Sequence, residues 1–369
     1  MKQRSRIVTT FSLLIRGFEK DRATFELMAP EPGLTPGSVI GGMFKIRRLI
    51  GQGGMGEVYA AESRSGERVA LKILHQRAAQ DPDLVVRFNR EADIAKKIAS
   101  PYVAAVLGSG KEKDGRLWIA FERLVGEGLD DRLRREQYLS FAEVSPIVDD
   151  ALQGLHAAHL AQVVHRDIKP ANLFIEKRRL TPEQAEAGEL EERTRILDFG
   201  VSKMRSGGQH RSEPSLTAFD ATLGSFAYMA PEQVRGSARV DERADLYALG
   251  AVAFRALTGR LPFEGSNALT LIALKLDRDP PSLADVTGDM WPASIERFLS
   301  RIMARDRERR FASAVDALAE WRRVCGVMGD TNLKAPPPVA SAPVRDEPTE
   351  ATVTEAGPSS IGGPLTRRR

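Results

Sequence analysis

Three groups of residues in this chain have the types and spacing that phosphate chemistry asks for. The first is Gly51-Gln52-Gly53-Gly54-Met55-Gly56-Glu57-Val58. Glycine lets backbone amides approach phosphate oxygens without a side chain in the way, although glycine-rich hairpin turns use the same residues for geometry alone. A dinucleotide site would need a helix after such glycines, and strand-like sequence follows here instead. The second is Lys72 in Val69-Ala70-Leu71-Lys72-Ile73-Leu74, an amine inside an apolar strand, which needs a partner if it is buried. The third sets carboxylates, an amine and an amide in two short motifs. They are His165-Arg166-Asp167-Ile168-Lys169-Pro170-Ala171-Asn172 and, after a strand-like run ending in Leu197, Asp198-Phe199-Gly200.

Elements of fixed length must carry these groups. Phe44–Ile50 and Glu57–Ala61 read as strands joined by the glycines, with Arg68–Leu74 and Leu117–Phe121 as further strands. Pro82–Ser100 reads as a helix on which Leu84, Phe88, Glu91, Ala95 and Ile98 share one face. Glu91 is therefore a carboxylate on an apolar stripe. A solvated charge at the stripe's edge is the plainer alternative. An ion pair with Lys72, orienting the amine toward phosphates, accounts for both charges at once. Beyond Gly126 helices dominate, around Ser145–Leu160, Asp241–Leu257, Ile295–Ala304 and Ser313–Arg323. A strand-rich front and a helix-rich back predict an α+β chain of two lobes with a site between them.

Bulk properties narrow the class. The 369 residues are 42% hydrophobic and 28% charged, as in a water-soluble globular protein. The net charge of +4 is modest for this length, so no nucleic-acid partner is expected. One cysteine, Cys325, excludes an internal disulfide and suits a reducing cytoplasm. Arg16 interrupts the apolar start after Phe11–Ile15, which argues against a signal peptide. Leu246–Leu257 is too short to span a membrane and contains Arg255, so no membrane association is expected. Residues 1–42 are rich in glycine and proline toward their end and read as a flexible lead-in. Residues 326–369 turn to Pro, Ala, Ser, Thr and Glu and read as a disordered tail. The folded part is expected over 43–325, with lobes at 43–125 and 126–325.

Together, and in this order, the motifs resemble those of protein kinases, from about Phe44 to Trp321. Lys169, two residues after Asp167, is similar to serine/threonine rather than tyrosine kinases, and the surrounding wording resembles bacterial eukaryotic-like members. The resemblance implies the two-lobed kinase fold and transfer of the γ-phosphoryl group of Mg-ATP to Ser/Thr hydroxyls of proteins. It implies that Asp167 orients or accepts the hydroxyl proton, that Lys169 neutralises the γ-phosphate, and that Lys72, paired with Glu91, holds the inner phosphates. Asn172 and Asp198 are implied as Mg²⁺ ligands. The nucleotide would lie against Ile50, Gly51, Gln52, Gly53, Gly54, Met55, Gly56, Glu57, Val58 and Ala70 from above and Phe174 from below. Backbone groups of Glu122 and Leu124 would meet the adenine edge, behind Phe121 as gatekeeper. Asp245 could cap its helix or, by resemblance, hold the His165–Asp167 turn; Glu232 is expected to pair with Arg310.

Arg166 before the catalytic acid resembles kinases ordered by a phosphate on the loop after Asp198. That loop carries hydroxyls at Ser212, Ser215, Thr217, Thr222 and Ser225, with autophosphorylation expected at Thr217, Thr222 or Ser215 and Thr217 favoured; modification in trans would need self-association. Two departures from the family pattern stand out. Ser225 replaces a threonine but keeps the hydroxyl, and Glu176–Arg195 is a charged insertion suited to an exposed helix or loop. A pseudokinase scaffold would lack one of Lys72, Asp167, Asn172 or Asp198, and all four are present. A small-molecule phosphotransferase would not need the Ala230-Pro231-Glu232 peptide platform.

Overall fold

Alternation with a period of two builds the first sheet of the computed structural model, which describes residues 33–52, 56–178, 191–199, 226–236, 240–265 and 267–329. Strand β3 (Gly56–Ser63) and strand β4 (Arg68–Leu74) pair antiparallel from Gly56↔Leu74 to Glu62↔Arg68. Tyr59, Ala61, Val69, Leu71 and Ile73 are buried on one face, while Val58, Ala60, Ala70 and Lys72 are half-buried on the other. The sheet has six strands in the order β1-β2-β3-β4-β6-β5, adding β1 (Val39–Ile40), β2 (Phe44–Gln52), β5 (Val106–Lys111) and β6 (Leu117–Glu122). Helix α1 (Pro82–Ala95) buries Phe88 and Ala92 against Leu74, Leu117 and Ile119. Its N-terminus is capped by the Asp81 carboxylate, which accepts the Asp83 and Leu84 N–H groups at 2.9 and 3.3 Å.

Two sequence expectations fail here. Helix α1 stops at Ala95 instead of reaching Ser100. Tighter three-residue bonds from Lys97 N–H to Ile94 O (3.0 Å) and from Ile98 N–H to Ala95 O (3.2 Å) close it ahead of Pro101. The lead-in expected over 1–42 is ordered into the sheet over its last residues. Val39↔Lys45 and Ile40↔Phe44 form a tight antiparallel hairpin, Ile40 is buried, and Leu34 N–H donates to the Tyr59 hydroxyl at 2.8 Å. Gly41 is needed in this hairpin, because its φ is +60° and a Cβ there would sit 2.8 Å from the Trp118 ring.

The second layer is helical. Helix α3 (Phe141–Leu160) starts with a capping box between Ser140 and Glu143. Helix α5 (Arg243–Thr258) is buried on nearly every side. These two pack with α8 (Ala293–Ile302) and α9 (Ala314–Gly329) around Trp321, Phe298 and Phe311. Helix α9 thus carries the ordered chain past residue 325. Shorter helices α2 (Leu129–Glu136), α4 (Pro231–Val234), α6 (Ala268–Asp277) and α7 (Leu283–Thr287) complete this part. None of the described helices is long and apolar enough to cross a membrane.

A three-stranded sheet joins β7 (Gly126–Gly128) to β8 (Leu173–Arg178) and β9 (Glu191–Ile196), the last two following α3 in the chain. It corrects the reading of 176–195 as an exposed helix or loop. Both ends of that insertion are paired strand, from Leu173↔Ile196 through Arg178↔Glu191. The pairing aligns Glu176 with Arg193 and Lys177 with Glu192, so opposite charges meet across the ladder. Residues 179–190 fall outside the described residues.

Where β9 crosses α3, the Asp150 carboxylate accepts the Thr194 N–H at 2.8 Å. Burial pushes the Asp150 pKa from its ordinary 3.8 up to about 6. The native state therefore holds this proton more tightly than the unfolded chain, and the group costs stability as pH rises from about 4 through 6. Asp150→Asn keeps the acceptor and removes the charge. Its melting temperature is expected to exceed that of the wild type at about pH 7 and to match it at about pH 4. Calorimetry across that range checks both limits.

Candidate active site

Lys72 and Glu91 meet as the apolar spacing requires: Nζ and Oε1 are 2.6 Å apart, and Asp198 Oδ1 lies 3.3 Å from the same amine. Burial opposes the Lys72 charge, but Asp198 and Glu91 outweigh it and raise the amine's pKa, so it stays protonated. Burial also raises the Glu91 pKa, against the pull of Lys72, and Asp198 adds to the rise. One cation thus serves two carboxylates, one from α1 and one from the segment after β9. That segment is positioned by backbone: Leu197 N–H donates to Asn172 O at 2.9 Å, and Ala104 N–H to Ile196 O at 2.9 Å.

The turn at 165–172 is fixed from below by Asp245. Its carboxylate accepts the His165 N–H at 2.8 Å, the Arg166 N–H at 2.7 Å and His159 Nε2–H at 2.9 Å. Asp245 lies inside the first turn of α5, whose N-cap is Glu242, so it holds the 165–172 turn and does not cap its helix. His165 is buried and its ring is oriented at both nitrogens. Asp167 N–H donates to Nδ1 at 3.2 Å, so Nε2 carries the proton and donates to Leu197 O at 2.9 Å. Its ring stacks at 4.7 Å on Phe199, which is also buried. Arg166 and Asp198 adopt φ of 65° and 42°, a left-handed backbone that costs a non-glycine residue about 1–3 kcal/mol unless its surroundings impose it.

On this turn Asp167 Oδ2 is 2.9 Å from Lys169 Nζ and 3.3 Å from Asn172 Nδ2, which also donates to Asp167 O at 2.7 Å. With Nδ2 committed to Asp167, the Asn172 carbonyl oxygen is turned the other way. Asp198 keeps a half-exposed carboxylate. Among the described residues no cluster of three or more His, Cys, Asp or Glu could cage a metal by itself. One carboxylate and one amide oxygen fit Mg²⁺, which retains waters and shares phosphate oxygens.

The residues expected around a nucleotide separate into two sets. Val58 and Ala70 share a sheet face with Lys72, and Phe174 is half-buried on β8 on the face opposite Leu173 and Ile175. Ile50, Gly51 and Gln52 end β2, with Gly51 opposite Val58, and Leu124 is buried just beyond β6. Gly56 is required by packing, because a Cβ there would lie 2.2 Å from Ile73 O. Strand alternation turns the Glu57 side chain to the opposite face from Val58. There its carboxylate accepts from the Tyr59 hydroxyl and from Gln52 Nε2, the latter at 3.3 Å. Gly53, Gly54 and Met55, and the loop hydroxyls at 212, 215, 217, 222 and 225, lie outside the described residues.

Sequence reasoning missed Arg195, although it falls within the motif-adjacent strand. Its buried guanidinium bonds the Glu122 carboxylate, Glu176 Oε2 at 2.8 Å and Val103 O at 2.9 Å. Glu122 also accepts the Ala105 N–H at 2.7 Å, so the end of β6 is tied to β8, β9 and the loop before β5. No alternation marks it in the sequence: Glu191-Glu192-Arg193-Thr194-Arg195 is polar throughout, and Thr194, Arg195 and Ile196 are buried in succession.

Glu232 and Arg310 pair as expected, bidentate at 2.7 and 2.9 Å, with the Arg310 side chain fully enclosed. Arg310 also donates to the carbonyls of Ala304 at 2.7 Å and Arg243 at 3.0 Å and stacks at 4.8 Å on the Tyr247 ring. Arg310→Ala would strand a buried carboxylate and is expected to lower unfolding free energy by about 3–5 kcal/mol, read from urea denaturation.

Comparison with known proteins bears on the same residues. A protein kinase domain family model matches residues 44–321. The chain is 36% identical over 301 residues to serine/threonine-protein kinase pkn3 of Myxococcus xanthus, covering 81% of this chain and 53% of that one. It is 35% identical over 315 residues to serine/threonine-protein kinase PknF of Mycobacterium tuberculosis, covering 84% and 62%. The chain thus spans little more than half the length of these relatives. Among solved structures, the Mycobacterium tuberculosis PknI kinase domain superposes with a TM-score of 0.57 at 27% identity, over 79% of this chain and 99% of that domain.

Proposed function

The chain belongs to the protein kinase family, and from that membership we propose that it transfers the γ-phosphoryl group of ATP to serine and threonine hydroxyls of proteins. The observation that carries the reading is the meeting of three elements at one amine. Lys72 on β4 lies 2.6 Å from Glu91 on α1 and 3.3 Å from Asp198. Asp167, Lys169 and Asn172 stand on the turn whose backbone bonds the Asp198 segment. An arrangement of cations and carboxylates around one cleft suits charge placement around a transferring phosphoryl group.

In the proposed reaction the acceptor oxygen forms a bond to the γ-phosphorus as the bond to the ADP oxygen breaks. Asp167 orients the hydroxyl and takes its proton. Lys169 keeps a positive charge beside the transferred group, and Lys72 holds the inner phosphates. The Val58, Ala70 and Phe174 faces would enclose adenine, with Glu122 and Leu124 at its edge. Asp198 and the Asn172 carbonyl oxygen would hold Mg²⁺, which supplies neutralisation of phosphate charge when bound.

Autophosphorylation in the loop after Asp198 belongs to the same proposal, with Thr217 favoured. It is supported by Arg166, whose buried Nε finds no hydrogen-bond partner among the described residues while its Nη2 reaches Val240 O at 3.5 Å. A phosphate would meet that donor. Cytoplasmic placement rests on the free, half-buried Cys325 thiol.

The test is incubation with γ-labelled ATP, Mg²⁺ and casein, followed by phosphoamino-acid analysis and phosphopeptide mass spectrometry of the chain itself. Phosphoserine and phosphothreonine in casein, and phosphate on the 201–225 loop, are expected. Nucleotide binding without any transfer would favour a scaffold instead.

A further inference from the structure

The mechanism leaves one buried titratable group unused. Lys275, on α6, is 1% exposed. Its amine donates to Ala227 O at 2.7 Å and Met229 O at 2.9 Å. It lies over the rings of Tyr247 at 5.1 Å and Phe263 at 5.8 Å. Among the described residues it has no ion-pair partner, and the nearby carboxylate, Glu232, is committed to Arg310. Arg310 stacks on the same Tyr247 ring. Burial, with Arg310 adding repulsion, pushes the Lys275 pKa down to about 7.

An apolar residue would fill this position at lower cost, since a buried charge without a counter-charge is destabilising. Such costs are retained where the group positions something that acts. What Lys275 holds is the turn Phe226–Met229, in which Met229 N–H donates to Phe226 O at 3.3 Å. The rest of that segment is fastened to the catalytic turn. Gln233 Nε2 donates to Arg166 O at 3.0 Å, while Gln233 Oε1 accepts the Ala230 N–H at 2.9 Å. Residues 226–233 are therefore strung between Lys275 and the residue preceding Asp167, with Ala227 packed against Phe263 and Leu271.

We propose that Lys275 is a positioning residue for the polypeptide acceptor: its amine latches the 226–229 turn to α6 and so sets the acceptor's path to Asp167. This rests on the kinase reading, because 226–233 carries Ala230-Pro231-Glu232, the platform that reading gives to the acceptor. Its hydrogen bonds and ring contacts among the described residues go to Ala227, Met229, Tyr247 and Phe263, so its loss is expected to be selective.

The test compares the full chain with Lys275→Met and Lys275→Arg in three measurements: casein phosphorylation, acceptor-free ATP hydrolysis, and amide hydrogen exchange. Lys275→Met leaves two buried carbonyls unpaired, and the casein KM is expected to rise about tenfold or more. The ATP KM and acceptor-free hydrolysis should stay within about twofold. Exchange should accelerate at 226–231 and not at 165–172. Lys275→Arg, which keeps charge and donors, should recover part of the casein KM. The proposal is overturned if the casein KM of Lys275→Met stays at the wild-type value, or if ATP hydrolysis falls in step with it. Unchanged exchange at 226–231 overturns it independently. A wild-type chain that transfers no phosphate would refute the kinase reading, while the exchange measurement would still decide on the latch.

Discussion

Asp167→Asn is expected to lower kcat for phosphoryl transfer by about 100- to 10,000-fold, the range typical for losing a positioned proton acceptor. The replacement is nearly isosteric. It keeps a carbonyl oxygen that Asn172 Nδ2 can meet where Oδ2 now lies at 3.3 Å, so the turn survives. The Lys169 contact at 2.9 Å weakens from an ion pair to a hydrogen bond from the ammonium to an uncharged amide oxygen. What disappears is a group able to take the hydroxyl proton. Nucleotide affinity should stay within about twofold of wild type, because Asp167 contributes to the transition state and not to ground-state binding. Steady-state kinetics beside a nucleotide titration separates the two effects. A variant that keeps full kcat would remove Asp167 from the reaction.

Lys72→Met acts from the other side of the site and is expected to cost about 100- to 1,000-fold in kcat/KM, as for removal of one preorganised charge donor. Methionine fills the aliphatic volume, so the sheet register from Val58↔Lys72 to Lys72↔Ile119 should persist. The electrostatic consequence reaches further. Glu91 and Asp198 now share that amine; without it Glu91 is a buried carboxylate with only another carboxylate near it, and it should take up a proton. Helix α1 then loses its polar tie to β4. Glu91→Gln is expected to reproduce part of the defect, since glutamine still accepts a hydrogen bond from the amine. The double variant should show less than the summed losses, because both act through one contact. Kinetics over the four-member cycle measures that coupling. Additive losses would mean that the pair does not work as a unit.

Much of the site was legible because chemistry and periodicity contradicted each other in the sequence. An amine in the strand Val69–Leu74 and a carboxylate on the stripe Leu84–Ile98 are each costly alone, and only their meeting explains both. The same argument would have found Lys275, which repeats the stripe of Ala268 and Leu271 at positions three and four apart on α6. It went unread because the helix Ala268–Asp277 was not recognised. The run Ile50–Val58 does not show by residue type that the Glu57 and Val58 side chains part, because a strand sends neighbours to opposite faces. Asp245 illustrates what spacing cannot supply. Its three donors come from residues 79 to 86 positions away, and nothing local distinguishes that role from a helix cap. The charged stretch 176–195 suited an exposed helix by composition, yet cross-strand charge pairing made its ends a ladder. The boundary at residue 43 was placed by glycine and proline content, which the Val39–Ile40 hairpin uses as turn chemistry within the sheet.

The central claim is that Asp198 and Asn172 complete, with Lys72, a site for metal-charged nucleotide. Calorimetric titration of ATP with and without Mg²⁺ into the wild type and Asp198→Asn addresses it most directly. The account predicts that Mg²⁺ tightens ATP binding to the wild type and that Asp198→Asn abolishes this dependence while retaining a weaker, metal-independent affinity. ATP that fails to bind in the presence of Mg²⁺, or binds equally well to both proteins at every metal concentration, would contradict it.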